Sequence, residues 1–147
     1  MAVELVTDTS PELEEAFEVL IPQLSSSSAP MDLEQIESFL SQDAIDLFVY
    51  RGEDGETSGK ILGMLTLVTF EIPTGWRAWI EDVVVDGDAR GQGAGQKLVE
   101  AAIDLAKKRG AKTVDLTSRP SREAANRLYK RCGFDLRETN VYRVKNS

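Results

Sequence analysis

Three valines, Val83 to Val85, run straight into Asp86-Gly-Asp-Ala-Arg90-Gly91-Gln92-Gly93-Ala94-Gly95-Gln96. Beyond them Leu98, Val99, Ala102, Ile103 and Ala106 recur at helical spacing, up to Lys107-Lys-Arg-Gly110. A β-branched run, a glycine-dense stretch and an amphipathic pattern predict a strand, a tight turn and a helix. In such a unit the first backbone N–H groups of the helix point at one place, where the helix dipole also favours negative charge. Glycine lets an anion approach where a Cβ would block it. The stretch therefore suits a phosphate or pyrophosphate; the lesser alternative, read alone, is a bare strand–helix turn. Spacing narrows the ligand. A phosphate loop of the Walker type needs a Gly-Lys-Ser/Thr run, which is absent here. The dinucleotide fingerprint reads G-x-G-x-x-G, whereas Gly91 to Gly95 reads G-x-G-x-G.

The rest of the chain supplies a mixed framework. Strands are expected over residues 2–7, 44–51, 60–72, 77–85, 112–118, 134–138 and 141–145. Helices are expected after Ser10-Pro11, with Leu13, Phe17, Leu20, Ile21 and Leu24 on one face, and after Asp32, with Leu33, Ile36, Phe39 and Leu40. A last helix starts near Pro120-Ser121 and ends at Gly133. The order β-α-α-β-β-β-α-β-α-β-β predicts an α/β (or α+β) fold, a mixed sheet of about 6–7 strands with helices on both faces. A length of 147 residues fits one domain, 1–147.

Composition removes whole classes of chemistry. There is no histidine and one cysteine, so Ser-His-Asp and Cys-His catalysis are excluded and no metal site is expected. No apolar run is long enough to span a membrane, and one cysteine with no signal-peptide pattern points to the cytoplasm. Net charge is −8, a poor basis for nucleic-acid binding. The charge is unevenly placed: residues 1–86 carry net −15, residues 87–131 net +6, residues 132–147 net +1. Such a split suits an anion held by the basic part and a cation meeting the acidic part.

Two stretches, taken together, resemble one family. Arg90-x-x-Gly93-x-Gly95 is similar to the acyl-CoA pyrophosphate loop of the GNAT superfamily of N-acetyltransferases. Ala125-Asn-Arg-Leu-Tyr129-Lys-Arg-Cys-Gly133-Phe134 resembles that superfamily's A-x-x-L-Y-x-x-x-G-F motif, and the two occur in the family's order. The resemblance implies the GNAT fold, with a fourth strand bulged and splayed from the fifth and pantetheine lying in the gap. It implies acetyl-CoA as co-substrate. Backbone groups of Val83, Val84 and Val85 would meet the pantetheine and acetyl carbonyl, and Arg90, Gly91, Gln92, Gly93, Ala94, Gly95 and Gln96 would hold the pyrophosphate. The family often has Asn seven residues before the motif tyrosine; Arg122 stands there instead. It is expected at a CoA phosphate, with Arg119 or Lys130, or else in solvent.

The family's chemistry is direct attack of an amine on the acetyl thioester in a ternary complex. An alkylammonium must lose a proton first, so a carboxylate is needed. Glu81 in Trp79-Ile-Glu-Asp-Val83 is the candidate base and Asp82 the weaker one, since strand alternation turns only one of them to the cleft unless a bulge intervenes. Tyr129 is the candidate acid for the leaving thiolate. The oxyanion donor would be the N–H of Val83 or Val84. Cys132, at core spacing beside Leu128, reads as structural.

The acceptor would be a small-molecule or protein amine, and the acidic first half favours a cationic one. By resemblance its site involves residues 20–43, Trp76, Trp79, Arg119, Thr139, Asn140 and Tyr142. The family also admits homodimers. The competing reading is a non-catalytic acyl-CoA-binding regulatory module of the same fold.

Overall fold

The computed structural model describes residues 2–89 and 91–146. These fall into two compact units, residues up to 117 and those from 118 onward.

In the first unit, helix α1 (Pro11–Leu24) begins where sequence chemistry dictates. The Ser10 side chain accepts the Leu13 N–H at 3.1 Å, Pro11 follows it, and Glu12 and Glu14 sit in the first turn. Helix α2 (Leu33–Leu40) opens with a reciprocal capping box: Asp32 Oδ1 accepts from Gln35 N–H and Gln35 Oε1 from Asp32 N–H, both at 2.9 Å. Glu14 Oε2 accepts the Leu33 N–H at 2.9 Å and ties the two helices together.

The sheet holds β1 (Val3–Val6), β2 (Ile45–Arg51), β3 (Ile61–Ile72), β4 (Gly75–Val85) and β5 (Val114–Asp115), adjacent in that order. The first four pair antiparallel and β4 pairs parallel with β5. Leu13, Phe17, Leu20 and Ile36 of the helices bury against Leu47, Val49, Met64 and Val84 of the sheet. Helix α3 (Ala94–Lys108) covers the opposite face, burying Leu98, Val99, Ala102 and Ala106. Gly63 permits its close approach, since a Cβ there would stand 3.2 Å from Leu98 Cδ1. Helices thus lie on both faces of a mixed sheet, as expected.

The expected 6–7 strands are corrected to five among the described residues. The strand expected over 112–118 is only Val114–Asp115, and residues 134–146 carry no strand. Alternating apolar residues describe side-chain spacing, whereas a strand also needs a backbone ladder. Without one, Leu136, Val141, Tyr142 and Val144 stand 71–91% exposed.

Strand β4 breaks its register against β3. Met64 pairs with Val84, but Thr66 pairs with Glu81. Asp82 and Val83 therefore stand together against Leu65, a β-bulge. Asp82 takes the left-handed conformation, φ 50°, which an aspartate tolerates better than a β-branched residue. Asp82→Val should cost about 1–2 kcal/mol and lower the melting temperature by roughly 5 °C, whereas Asp82→Gly should melt at or above the parent. Thermal denaturation decides it; equal melting of the Val variant would mean no left-handed residue at this place.

In the second unit, helix α4 (Glu123–Arg131) is followed by Cys132, Gly133 and Phe134. The Gly133 N–H donates to Lys130 C=O at 3.1 Å and the Phe134 N–H to Tyr129 C=O at 3.0 Å. With Gly133 at φ 101°, this is a Schellman stop, and its usual apolar contact is the Tyr129–Phe134 ring pair at 5.9 Å and 68°. Among the described residues no helix is long and apolar enough to cross a membrane.

Candidate active site

Alternation and the bulge together decide where Glu81 points. Met64 lies on the sheet face covered by α1 and α2, and Thr66, two residues on, lies on the same face. Their partners Val84 and Glu81 share that face only because β4 carries one extra residue between them. Glu81 is exposed, and its Oε2 accepts the Trp79 indole N–H at 2.7 Å. Trp79, opposite Val68, is half-buried on the same face. Asp82 is exposed at the bulge itself.

Val83, in the bulge, and Val85, past it, are half-buried, and Val84 is buried. The ladder between β4 and β5 joins only Ala78 to Val114 and Trp79 to Asp115. From Ile80 to Val85, β4 has no partner strand on its β5 side among the described residues. This is the expected separation of the fourth and fifth strands, and it leaves backbone groups of β4 available to an extended ligand.

The glycine stretch then turns into α3. Gly91 and Gly93 have φ of 85° and 71°, and among the described residues beyond the chain neighbours a Cβ built at either would meet nothing within 4 Å. They are glycines for their backbone conformation, and the space before them is open. Gly93 is the residue preceding α3 and provides no side-chain cap; the first bond into the helix runs from Lys97 N–H to Gly93 C=O at 3.0 Å. Helix geometry therefore leaves the amides of Ala94, Gly95 and Gln96 without intrahelical acceptors. Among the described residues, these donors and the clearance before Gly91 and Gly93 fit a pyrophosphate. Arg90 lies outside the described residues.

A cluster that sequence spacing missed supports this turn. The buried Tyr50 hydroxyl lies 3.1 Å from Gln92 Oε1 and 3.2 Å from Glu53 Oε1. Lys97 Nζ donates to the same Glu53 oxygen at 2.6 Å and stands 5.7 Å from the Tyr50 ring centre. One hydroxyl has one proton, so Tyr50 donates to Glu53 and then accepts from Gln92 once that amide is turned, or donates to Gln92. The Lys97 ammonium holds the Glu53 carboxyl below the usual range, and burial raises the Tyr50 hydroxyl. These residues come from β2, the loop after it, the glycine turn and α3, so no local pattern announces them.

In the second unit, Tyr129 is buried on α4, and burial pushes its hydroxyl above the ordinary tyrosine value despite the opposing charge of Arg122. Arg122 is exposed at the residue preceding α4, and Arg119 and Lys130 are exposed too. The Asn126 amide, also missed by sequence reasoning, donates to the Arg119 carbonyl at 3.0 Å and shapes the turn into the helix. Cys132 is half-buried at the helix end. Of the acceptor candidates, Trp76 is 42% exposed, and Asn140 Nδ2 donates to the Tyr142 hydroxyl at 3.3 Å in an exposed stretch. Among the described residues no group of three or more His, Cys, Asp or Glu could hold a metal ion.

Known proteins share this fold. Residues 11–134 match the family described as the acetyltransferase (GNAT) family. An uncharacterised N-acetyltransferase of Methanocaldococcus jannaschii is 37% identical over 95 residues, which cover 60% of this chain and 42% of that protein. The matches span under half the length of the curated relatives, 42%, 44% and 31%. Among solved structures, a putative acetyltransferase from Agrobacterium tumefaciens superposes with a TM-score of 0.78 at 21% identity, covering 99% of this chain and 100% of its own; it shows the fold. A transcriptional regulator from Bacillus halodurans superposes with a TM-score of 0.77 at 27% identity over 97% of this chain and 99% of its own.

Proposed function

This chain belongs to the acetyltransferase (GNAT) family, and we propose that it transfers an acetyl group from acetyl-CoA to a primary amine by direct attack. The observation that carries this reading is the bulged β4, which turns an exposed carboxylate to the Thr66 face and leads, through the glycine turn, to a helix N-terminus with no side-chain cap. In this reading the amides of Gly91 to Gln96, with Arg90 and Arg122, hold the phosphates, and backbone groups of Val83, Val84 and Val85 hold the arm. Acetyl-CoA, when bound, supplies the activated acyl group.

The protein's own part is proton traffic and charge stabilisation. Glu81 takes the proton of the incoming ammonium, directly or through water. An N–H of Val83 or Val84 stabilises negative charge on the acetyl oxygen. Tyr129 stays protonated at neutral pH and gives its proton to a thiolate whose free value is about 8.5. The net charge of −15 over residues 1–86 favours a cationic acceptor such as a polyamine, an aminoglycoside-like amine or a protein amine. The reading sets the enzyme in the cytoplasm.

Calorimetric titration with acetyl-CoA, with ATP and NAD as controls, tests the cradle. Charge-assisted hydrogen bonds contribute roughly 1.5–3 kcal/mol each, so a few of them bring affinity to the micromolar range after association costs. CoA release is then measured with spermidine, an aminoglycoside, a lysine peptide and neutral amino acids. No binding at millimolar acetyl-CoA would overturn the reading. Better turnover of neutral amino acids at low salt would overturn the cationic acceptor. The likeness to the Bacillus halodurans regulator favours the second reading, an acyl-CoA-binding regulatory module; tight binding with no CoA release from any amine would select it.

A further inference from the structure

We infer that Trp79 is a positioning residue for Glu81, holding the carboxylate through its indole N–H. The inference rests on the catalytic reading above and deepens it.

The geometry is local and complete within one strand. Trp79 and Glu81 are two residues apart on the same face of β4, opposite Val68 and Thr66. The indole Nε1–H donates to Glu81 Oε2 at 2.7 Å, a short charge-assisted bond. Glu81 is exposed, and an exposed glutamate otherwise samples many rotamers. Trp79 is half-buried, so its ring is the stiffer of the two groups. With Oε2 occupied, Oε1 remains for the ammonium proton. The bulge at Asp82 follows at once and marks the register that sets the pair on this face. A tryptophan at this place thus does more than cover the sheet: it fixes which oxygen of the base is free.

Two measurements test this. The chain has two tryptophans, Trp76 and Trp79, so the proton–nitrogen spectrum has two indole signals, assigned with Trp76→Phe. Glu81→Gln should move the Trp79 signal and leave the other in place. The second measurement is a double-mutant cycle on kcat, using the amine that releases most CoA in the panel above. Trp79→Phe, and likewise Trp79→Tyr, should lower kcat roughly tenfold with KM for both substrates little changed. In the Glu81→Gln background the same changes should have no further effect. Two unmoved indole signals would overturn the contact, and an undiminished effect of Trp79→Phe in that background would overturn its role. If Glu81→Gln keeps full turnover, there is no base to position and the inference falls. A shifted indole signal in that protein would then locate the failure in the catalytic reading and not in the contact. Should the Trp79 variants fail to fold, the spectrum of Glu81→Gln still decides whether the pair exists.

Discussion

Glu81→Gln is expected to lower kcat at neutral pH by roughly 10²- to 10⁴-fold, the usual range for a lost general base. Acetyl-CoA affinity should stay within about twofold, because the change removes an interaction needed only in the chemical step. The side chain is exposed and keeps its size as glutamine, so folding is not at issue. The variant should also acquire a telling pH profile. An alkylamine of pKa about 10.4 is almost wholly protonated at pH 7, and its neutral fraction rises about tenfold per pH unit up to that value. Without a protein base, kcat/KM should climb with that fraction between about pH 7 and 9, and the deficit should shrink. Tyr129→Phe should behave differently. Burial already holds this hydroxyl above the ordinary tyrosine range, so its protonated form persists as pH rises toward that value. A thiolate is a serviceable leaving group unaided, so the loss should be smaller, roughly tenfold, and should not recover in alkali. Unchanged kcat in both variants would sink the acid–base assignment, whatever the calorimetry shows.

The contrast between the two residues also shows what a sequence can and cannot reveal. Local signals were legible. Ser10-Pro11 and the Asp32–Gln35 box start their helices where the residue types say they should, because capping is settled within four residues. The glycine stretch was legible for the same reason: Gly91 and Gly93 adopt backbone angles that few other residues accept. The tyrosine motif was legible as a pattern but carries two meanings. Gly133 and Phe134 complete a helix stop that packs Phe134 on Tyr129, so part of that pattern is explained by ending α4. What stayed hidden depends on partners far along the chain. The Tyr50, Glu53, Lys97 and Gln92 cluster joins β2 and the loop after it to the glycine turn and α3. The bulge that turns Glu81 and Val84 to one face exists only as a mismatch between β3 and β4, and neither strand announces it alone. The two strands expected after residue 133 failed for a related reason, since alternation names faces and not a ladder.

Gly93→Asp tests the anion cradle with the fold held nearly constant. Gly93 is left-handed at φ 71°, and aspartate accepts that region at a cost of about 1–2 kcal/mol or less. Among the described residues beyond its chain neighbours, no atom lies within 4 Å of the new Cβ, so no clash with them is added. A carboxylate beside the first turn of α3 is favoured by the helix dipole, by about 0.3–1 kcal/mol, which offsets part of that cost. The free protein should therefore melt within a few degrees of the parent, on the order of 5 °C. The ligand meets a different situation. The new carboxylate stands beside the amides of Ala94, Gly95 and Gln96, where the proposed reading places a pyrophosphate, and like charges brought together cost several kcal/mol. The dissociation constant for acetyl-CoA should rise by roughly 100-fold or more. Gly93→Asn separates shape from charge, since it has nearly the same volume and tolerates the same backbone angles. The gap between the Asp and Asn variants is electrostatic and should narrow as salt shortens the screening length from about 10 Å at 0.1 M to about 3 Å at 1 M. If Asp and Asn bind acetyl-CoA alike at low salt, the phosphates lie elsewhere and the glycines serve only to turn the chain into α3.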